Sequence, residues 1–370
     1  MSDRPSRLLV VCPSWLGDVV MATPAFRLLR RELPGAFIGA LMRPGIDELI
    51  AGTDFFDELH IERAHGVMGP KLVAAKVRPR RYDAALLLTN SFSTALVTRL
   101  AFIPRRIGYD RDGRGLLLTD RLRPQRRSAP HKGWACIPAV EYYLSLARAI
   151  VDPPAPSRPA LELATTPAQD LAADAILARA AITLASGFAI INPGANDPAK
   201  RWPPDRFAKV AAHLLNVHGL AILINGGPAE SELAASIRSL AIDVAGPEFA
   251  TRISSLPELG ITIGALKSLV RRAAVLITND TGPRHIAAAF GRPCVTLFGP
   301  TDHRWTALPP SDDSSTRIDI LAEPNLPEGQ LANDVPEQCS IDKITLETVI
   351  AAADRLLALR AAPFVRTSNG

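Results

Sequence analysis

The sequence predicts an α/β protein of two similar domains, each built on a parallel sheet with helices packed on its faces. Short apolar runs recur along the 370 residues, and each is followed by a turn and then by an amphipathic helical pattern. Buried strands that alternate with helices are typical of βαβ units. The series restarts after residues 151–167, where five prolines indicate an interdomain linker. We therefore expect two doubly wound, Rossmann-like domains with ligands at the cleft between them.

Seven apolar runs carry the predicted strands. They lie at 7–12, 36–42, 84–89, 187–192, 220–225, 275–279 and 294–298. Amphipathic patterns at 25–33, 206–215 and 231–240 predict helices, and another predicts a final helix near 345–359. Residues 303–340 are polar and rich in proline, which predicts a long loop. The expected domains are 1–165 and 166–344, followed by a helical segment, 345–370, that could pack back on the first domain.

Composition excludes several classes of protein. The chain is 47% hydrophobic, and its four cysteines are scattered without a C-x-x-C pair, which argues against disorder, a disulfide scaffold and a zinc ribbon. The first residues lack a signal-peptide pattern, and no apolar run is long enough to span a membrane. We therefore expect a cytoplasmic protein in a reducing compartment.

Positive charge is concentrated early in the chain. Residues 1–130 hold 21 Lys and Arg against 13 Asp and Glu, and the segments 63–81 and 99–127 are especially basic. Such clustering suits an anionic partner such as phosphorylated lipid, a membrane surface or nucleic acid, although a solvated arginine-rich surface gives the same counts. Aromatic residues are only 5% and are not interleaved with the basic clusters, which disfavours nucleic acid.

The first candidate site, PSWLGD at residues 13–18, directly follows the first predicted strand. It lacks the G-x-G-x-x-G fingerprint, which disfavours an NAD(P)-dependent enzyme. Asp18 would lie at the carboxyl edge of the sheet, where open parallel sheets bind their ligands. Its carboxylate could take a proton from a substrate hydroxyl or could cap the following helix, and position alone favours the cap.

Two motifs follow strands of the second domain. In NPGANDPAKRWP, Lys200 and Arg201 could hold a diphosphate beside a helix start, although an ordinary loop with solvated basic residues gives the same pattern. In NDTGPRH, the N–H groups of Thr281 and Gly282 could bind an anion, and Asp280 could accept hydrogen bonds from sugar hydroxyls. His285 could reach a phosphate, although a histidine on a helix is more often structural.

Neither metal-ligand spacing nor a G-x-S-x-G motif occurs in the sequence, so we expect no bound catalytic metal and no covalent nucleophile.

Four segments together resemble the ADP-heptose:lipopolysaccharide heptosyltransferases, particularly the heptosyltransferase II type. They read LLVVCPSWLGDVVMATPAFRLLRRELP, LLLTNSFSTALVTRLAFIPRRIGYDRDGRGLLLTD, INPGANDPAKRWPPDRFAKVA and LITNDTGPRHIAAAFGRPCVTLFGPTD. The resemblance implies a GT-B fold and inverting transfer of heptose from ADP-heptose to the inner core, heptosyl-Kdo-lipid A, of lipopolysaccharide. It implies no cofactor, and stimulation by magnesium stays open.

The resemblance also implies roles for individual residues. It makes Asp18 the catalytic base, which reverses the preference for a helix cap. It assigns donor binding to six residues: Lys200, Asn196, Asp280, Thr281, Gly282 and His285. Related sequences often have nonpolar residues where this chain has Pro283 and Arg284, and the added guanidinium could touch phosphate or alter the sugar pocket.

The implied acceptor is an anionic core–lipid A molecule at the cytoplasmic face of the inner membrane of a Gram-negative bacterium, which gives the basic first domain a purpose. We expect peripheral membrane contact and no nucleic acid. The candidate acceptor contacts are five arginines: Arg105, Arg106, Arg123, Arg126 and Arg127. Two alternatives stay open, a related transferase for another acceptor or sugar, and a non-catalytic protein that binds nucleotide sugar or anionic lipid. The combination of Asp18, Lys200 and Asp280 disfavours the non-catalytic alternative, because a protein that only binds its ligands requires no base.

Overall fold

The computed structural model describes residues 4–128, 133–151, 158–183, 187–309, 316–327 and 329–361. The chain divides into two compact units. The N-terminal unit comprises Met1–Thr166 and Arg304–Pro310, and the C-terminal unit comprises Pro167–His303 and Ser311–Gly370. In the described residues, each unit contains one six-stranded sheet whose strands all pair in parallel.

The N-terminal sheet has the strand order β3-β2-β1-β4-β5-β6. Its strands are β1 (Arg7–Val11), β2 (Phe37–Met42), β3 (Glu58–Ile61), β4 (Ala84–Leu87), β5 (Arg105–Tyr109) and β6 (Asp120–Leu122). The helices of this unit are α1 (Leu16–Glu32), α2 (Ile46–Ile50), α3 (Gly69–Val77), α4 (Phe92–Leu100) and α5 (Ala139–Val151).

The C-terminal sheet has the order β12-β11-β10-β7-β8-β9. Its strands are β7 (Phe188–Asn192), β8 (Ala221–Ile224), β9 (Ile253–Ser255), β10 (Val275–Asn279), β11 (Cys294–Phe298) and β12 (Arg317–Leu321). The helices of this unit are α6 (Pro167–Arg179), α7 (Pro204–His218), α8 (Ser231–Ala245), α9 (Ile263–Arg272), α10 (Gly282–Ala289) and α11 (Leu346–Ala361).

The two sheets have the same topology. When the strands of each unit are numbered from its own first strand, both sheets follow the order 3-2-1-4-5-6. The direction of winding reverses between β1 and β4 in one unit and between β7 and β10 in the other. Ligands of doubly wound sheets bind beyond the carboxyl ends of the strands at this switch point. The predicted Rossmann-like architecture is confirmed, and each unit has a candidate ligand site at its own switch point.

Burial on both faces explains why the central strands are apolar throughout. Leu8, Leu9 and Val10 of β1 are fully buried, and Leu8 pairs in register with Ala84 of β4. The helices, by contrast, bury one face only. In α7 the buried positions include Phe207, Ala211 and Leu214, at the three- and four-residue spacing of a helix face. The predicted core elements therefore agree with the structure.

The long loop predicted for residues 303–340 is wrong in one respect, because β12 lies within it as an edge strand beside β11. Its sequence, RIDIL, alternates polar and apolar residues and is only half-buried, so no continuous apolar run marks it. The strands β3, β5, β6 and β9 were also not predicted, since each is short or contains charged residues.

The final helix packs within the C-terminal unit, which corrects the expectation that it could pack on the N-terminal domain. Its buried residues Val349, Ala353 and Leu356 join the core formed by α7 and the strands of that sheet. The apolar face that predicted this helix is therefore buried in the core of the C-terminal unit. Like the other helices of the described residues, α11 is not long and apolar enough to cross a membrane.

Candidate active site

The switch point of the N-terminal unit presents a carboxylate. The loop after β1 leads directly into α1, and Asp18 lies half-buried in the first turn of that helix. The N-cap residue of α1 is Trp15, so Asp18 is the third residue of the helix and does not occupy the N-cap position. A carboxylate in the first turn is nevertheless stabilised by the positive end of the helix dipole.

The Asp18 carboxylate is held by a buried tyrosine. Tyr143 lies on the inner face of α5, which packs against α1, and its hydroxyl donates a hydrogen bond to Asp18. Burial, and then the negative charge of Asp18, raise the pKa of Tyr143 well above its ordinary value. The phenol therefore stays protonated at neutral pH and remains a donor. The core of the unit thus fixes the orientation of the carboxylate.

A buried arginine joins the ends of β4 and β5. Arg114 is fully buried, and its guanidinium donates to the carbonyl oxygen of Tyr109 at 3.0 Å, to that of Thr89 and to Asn90 Oδ1 at 3.1 Å. The hydroxyl of Tyr142 donates to the same Asn90 oxygen at 2.8 Å. Burial lowers the pKa of Arg114 to about 10, so the group is charged at neutral pH. A positive charge bonded to neutral oxygens therefore lies at the carboxyl edge of this sheet.

Further positive charge gathers around an indole ring. The guanidinium carbons of Arg111 and Arg126 lie 4.9 and 4.6 Å from the ring centroid of Trp134, which is cation–π distance. A backbone bridge between Arg126 and Trp134 fixes this arrangement. Arg111 also shares a hydrogen bond with Tyr142 and so connects the cluster to the Asn90 network.

The five arginines predicted to contact an acceptor lie at opposite edges of the sheet. Arg105 and Arg106 begin β5, so they lie at the amino edge. Arg105 pairs with Asp120 at 2.6 Å, and the guanidinium of Arg106 donates to three backbone carbonyl oxygens. The other three arginines follow β6 and lie on the carboxyl side: Arg123, Arg126 and Arg127. We retain only these three as acceptor candidates.

In the C-terminal unit, polar side chains tie three strand ends together. Asn192, at the end of β7, donates from Nδ2 to Thr278 Oγ1 at 3.0 Å and to Thr281 Oγ1 at 2.9 Å. Its Oδ1 accepts from Asn225 Nδ2 at 2.6 Å. Because these residues are mostly buried, each bond satisfies a group that would be costly to leave unpaired. The carboxyl edge of β7, β8 and β10 is therefore a fixed polar frame.

Four charged residues of alternating sign adjoin this frame. Lys200 Nζ lies 3.3 Å from Asp280 Oδ2, and Arg284 Nη1 lies 3.1 Å from Asp280 Oδ1. Arg284 Nη2 lies 3.5 Å from Asp319 Oδ2, and the guanidinium stacks on Phe298 at 4.7 Å. Arg284 is fully buried, which argues against direct contact with a phosphate, whereas its expected effect on the sugar pocket stays a prediction. It instead stabilises the two carboxylates, while the Lys200 side chain keeps 23% of its surface exposed.

The charges around Asp280 decide its protonation and that of His285. Burial alone would raise the pKa of Asp280, but the charges of Arg284 and Lys200 outweigh this and hold it below its ordinary value. Burial, with help from Arg284, lowers the pKa of His285 to about 3. The carboxylate is therefore ionised and the imidazole neutral at neutral pH. Among the described residues, nothing hydrogen-bonds to His285 Nδ1, which is itself buried.

The remaining predicted donor residues lie on the two loops that flank this cluster. Asn196 is exposed in the loop after β7, while Thr281 is the N-cap residue of α10 and Gly282 its first residue. Gly194 lies at the start of the Asn196 loop, where a Cβ would come within 2.1 Å of Glu230 Oε1. Glycine at this position therefore allows the loop to pass close to that carboxylate.

Sequence reasoning missed several site residues: Asn90, Arg111, Arg114, Trp134, Tyr142 and Tyr143. A weak signal existed for Asn90, since a polar residue after a buried strand marks a carboxyl edge. Tyr143 gave no local signal, because its contact with Asp18 depends on the packing of α5 against α1.

Comparison with known proteins gives concordant results. Residues 72–335 match the model of the family described as glycosyltransferase family 9 (heptosyltransferase). The chain is 29% identical to lipooligosaccharide heptosyltransferase 2 of Haemophilus influenzae, over 85% of this chain and 88% of that protein. It is also 29% identical to lipopolysaccharide heptosyltransferase 2 of Salmonella typhimurium, with the same shares covered.

A solved structure supports the same relationship. The structure of the ADP-heptose LPS heptosyltransferase II of E. coli matches with a TM-score of 0.77 at 26% sequence identity. The match covers 96% of this chain and all of that one. The prediction of a GT-B architecture, with two Rossmann-like domains, is thereby confirmed.

Proposed function

Because the chain belongs to glycosyltransferase family 9 (heptosyltransferase), we propose that it moves L-glycero-D-manno-heptose from ADP-heptose to the inner core of lipopolysaccharide with inversion. The observation that carries the proposal is the Asp18 carboxylate at the switch point, oriented by the buried Tyr143. A protein that only binds its ligands would not require such a group. The relatives named heptosyltransferase 2 favour the second core heptose as the product.

We assign Asp18 the role of general base. As the acceptor oxygen attacks the anomeric carbon, its proton passes to the Asp18 carboxylate. The bond from the anomeric carbon to the β-phosphate oxygen breaks at the same time, and ADP departs with that electron pair. Attack from the face opposite ADP inverts the configuration, so no covalent enzyme intermediate is formed.

We assign binding of the donor diphosphate to Lys200, the partly exposed member of the charged cluster. Its ammonium would neutralise the charge that develops on ADP as the glycosidic bond breaks. Both Asp280 oxygens are already bonded to cations of the protein, so we assign Asp280 to the positioning of Lys200. A carboxylate has about four acceptor sites, so this role leaves room for the hydrogen bonds from heptose hydroxyls that the sequence suggested.

Other groups would complete the donor site. The backbone N–H groups at Thr281 and Gly282 lie at the positive end of α10, which favours phosphate oxygens. His285 is neutral, so it can contribute only a hydrogen bond, through Nδ1. Asn196 is placed on the exposed loop next to Lys200 and could contact the nucleotide.

We assign the anionic acceptor to the carboxyl edge of the N-terminal sheet. Arg111, Arg114 and Arg126 concentrate positive charge there, with Arg123 and Arg127 in the same segment after β6. A phosphorylated lipid headgroup would be attracted by about 1 kcal/mol for each nearby basic side chain. An acceptor of this kind implies peripheral contact with the cytoplasmic face of the inner membrane.

The first experiment is a transfer assay. Purified protein, ADP-heptose and a monoheptosylated Kdo–lipid A acceptor are mixed, and the lipid is analysed by mass spectrometry. We expect the gain of one heptose, and we expect Asp18→Asn to lower kcat by roughly 10²–10⁴-fold because the base is lost. The control is Asp120→Asn, which removes a carboxylate from the amino edge of the same sheet and should leave kcat near that of the wild type.

Other outcomes would redirect the proposal. Full activity of Asp18→Asn would overturn the assignment of the base but keep the transferase. Release of ADP without lipid modification would favour a related enzyme with a different acceptor. Binding of ADP-heptose without any turnover would favour the non-catalytic alternative.

A further inference from the structure

We propose that His213, His218 and Asp354 form a binding site for a divalent transition-metal ion at the contact between α7 and α11. Among the described residues, these form the one group of three or more His, Cys, Asp or Glu side chains close enough to share an ion. Sequence spacing gave no indication of this site, because Asp354 is 141 and 136 residues from the two histidines. The proposal is independent of the transferase function.

The ligand atoms already converge. Nε2 of His213 and Nε2 of His218 lie 2.8 and 2.6 Å from the same Asp354 Oδ1. All three potential ligand atoms lie within 4.8 Å of one another. Two atoms that bind one zinc ion at about 2.0–2.2 Å each are at most about 4.4 Å apart. Small side-chain rotations would therefore be enough to admit the ion.

The supporting helices hold these side chains in place. The residues next to the ligands, Leu214 on α7 and Ala353 on α11, are fully buried in the core of the C-terminal unit. His218 is the last residue of α7, and Gly219 ends the helix in the left-handed conformation. The negative end of the helix dipole therefore lies beside the site, which favours a cation.

The donor set indicates the class of ion. Two imidazole nitrogens and one carboxylate oxygen suit zinc, cobalt, nickel or copper, whereas magnesium and calcium prefer oxygen ligands alone. The three side chains keep 21, 25 and 40% of their surface exposed, so an ion can enter and water can complete its coordination. Each imidazole would carry its proton on Nδ1 once Nε2 binds the ion, and the Asp354 carboxylate would supply one negative charge.

A hydrogen-bonded cluster without an ion is the competing explanation. Burial alone would raise the pKa of Asp354, but the hydrogen bonds from His218 and His213 outweigh it and hold that pKa below its ordinary value. The carboxylate is ionised in either case, so this shift is compatible with both explanations. Direct metal binding separates them.

The test uses full-length, untagged protein that has been stripped with a chelator and dialysed. Cobalt(II) is titrated in and followed by its visible absorption, and zinc(II) is then used to displace it. We expect one equivalent to bind and the melting temperature to rise with zinc concentration, because only the folded state offers the site. His218→Gln and Asp354→Asn should each weaken binding by at least roughly tenfold. The control Asp205→Asn removes a carboxylate of α7 that pairs with Lys209 and is not one of the proposed ligands.

Two results would overturn the proposal. One is the absence of a saturable equivalent in the wild type. The other is binding of equal affinity in the wild type, the control and both ligand variants, which would place the ion elsewhere. Circular dichroism of each variant confirms folding, and the pair of variants from two different helices guards against misfolding of either one.

Discussion

The two units have the same strand order, yet their switch points hold charge in different ways. Arg114 and Arg284 are both fully buried, each beside the switch point of its own unit. Arg114 donates hydrogen bonds to neutral oxygens, while the carboxylates of Asp110 and Asp112 act on its charge without a hydrogen bond to it among the described residues. Arg284 is instead compensated by Asp280 and Asp319. The same fold thus supports an edge that can attract an anion and an edge whose charges are balanced internally.

The candidate-site carboxylates of the two units, Asp18 and Asp280, also differ in the charge of the groups that hold them. Asp18 is held by a neutral phenol, whereas Asp280 is held by two cations. A hydrogen bond from a phenol orients a carboxylate but leaves it able to accept a proton, whereas two cations strongly disfavour protonation. This contrast explains why we assign proton transfer to the N-terminal unit and charge neutralisation to the C-terminal unit.

The largest expected effect comes from removal of each buried arginine. Arg284→Met leaves Asp280 buried beside a single cation, which should lower the free energy of unfolding by about 3–5 kcal/mol. Arg114→Met leaves neutral acceptors without their donor, which should lower the free energy of unfolding by about 1–3 kcal/mol. Chemical denaturation of both variants measures the difference. Equal losses would contradict the contrast between an arginine paired with carboxylates and an arginine hydrogen-bonded to neutral oxygens.

Next in size is the loss of Lys200. Lys200→Ala should lower kcat by roughly 10²–10³-fold, because one preorganised group for the departing ADP is removed. Lys209→Ala is the matched control, since that lysine belongs to the same unit and lies exposed on α7 in a pair with Asp205. Steady-state kinetics with varied ADP-heptose would test this. A normal kcat in Lys200→Ala would remove Lys200 from the diphosphate site.

Much of this comparison could be predicted from the sequence. Asp18, Lys200 and Asp280 each follow a buried apolar strand, and chain direction alone then places them at carboxyl edges. What could not be predicted depends on contacts between distant segments. The partner of Asp18 lies on α5, and the second carboxylate partner of Arg284 lies on the unpredicted edge strand β12. Edge strands escape prediction because only one of their sides is paired and their residues are half exposed.

A smaller effect concerns acid stability, and it should be confined to the C-terminal unit. His285 has a folded pKa of about 3 against an ordinary value of 6.5. Between these values the unfolded chain takes up a proton that the folded chain does not, so stability falls as pH decreases below 6.5. The slope is at most about 1.4 kcal/mol per pH unit for one such group. The lowered pKa of Asp280 adds a further loss below 3.8.

Hydrogen exchange resolved by mass spectrometry would measure this acid effect in each unit separately. The C-terminal sheet should lose protection faster than the N-terminal sheet as the pH falls from 6.5. His285→Gln should reduce that difference. His303→Gln, which removes a substantially exposed imidazole of the same unit, provides the comparison. Parallel losses in both sheets of the wild type would argue against the role of His285.

The smallest expected effect tests whether the phenol tunes the base. Tyr143→Phe removes the donor to Asp18 and leaves the ring in the core, so folding should be preserved. Since donation to a carboxylate favours its ionised form, loss of the hydroxyl should move the acid limb of the kcat profile to higher pH by less than about one unit. Tyr142→Phe is the neighbouring control, because its hydroxyl donates to Asn90 instead. A displaced limb in Tyr143→Phe alone would identify Tyr143 as a positioning residue, whereas unchanged profiles in both variants would reduce its role to packing.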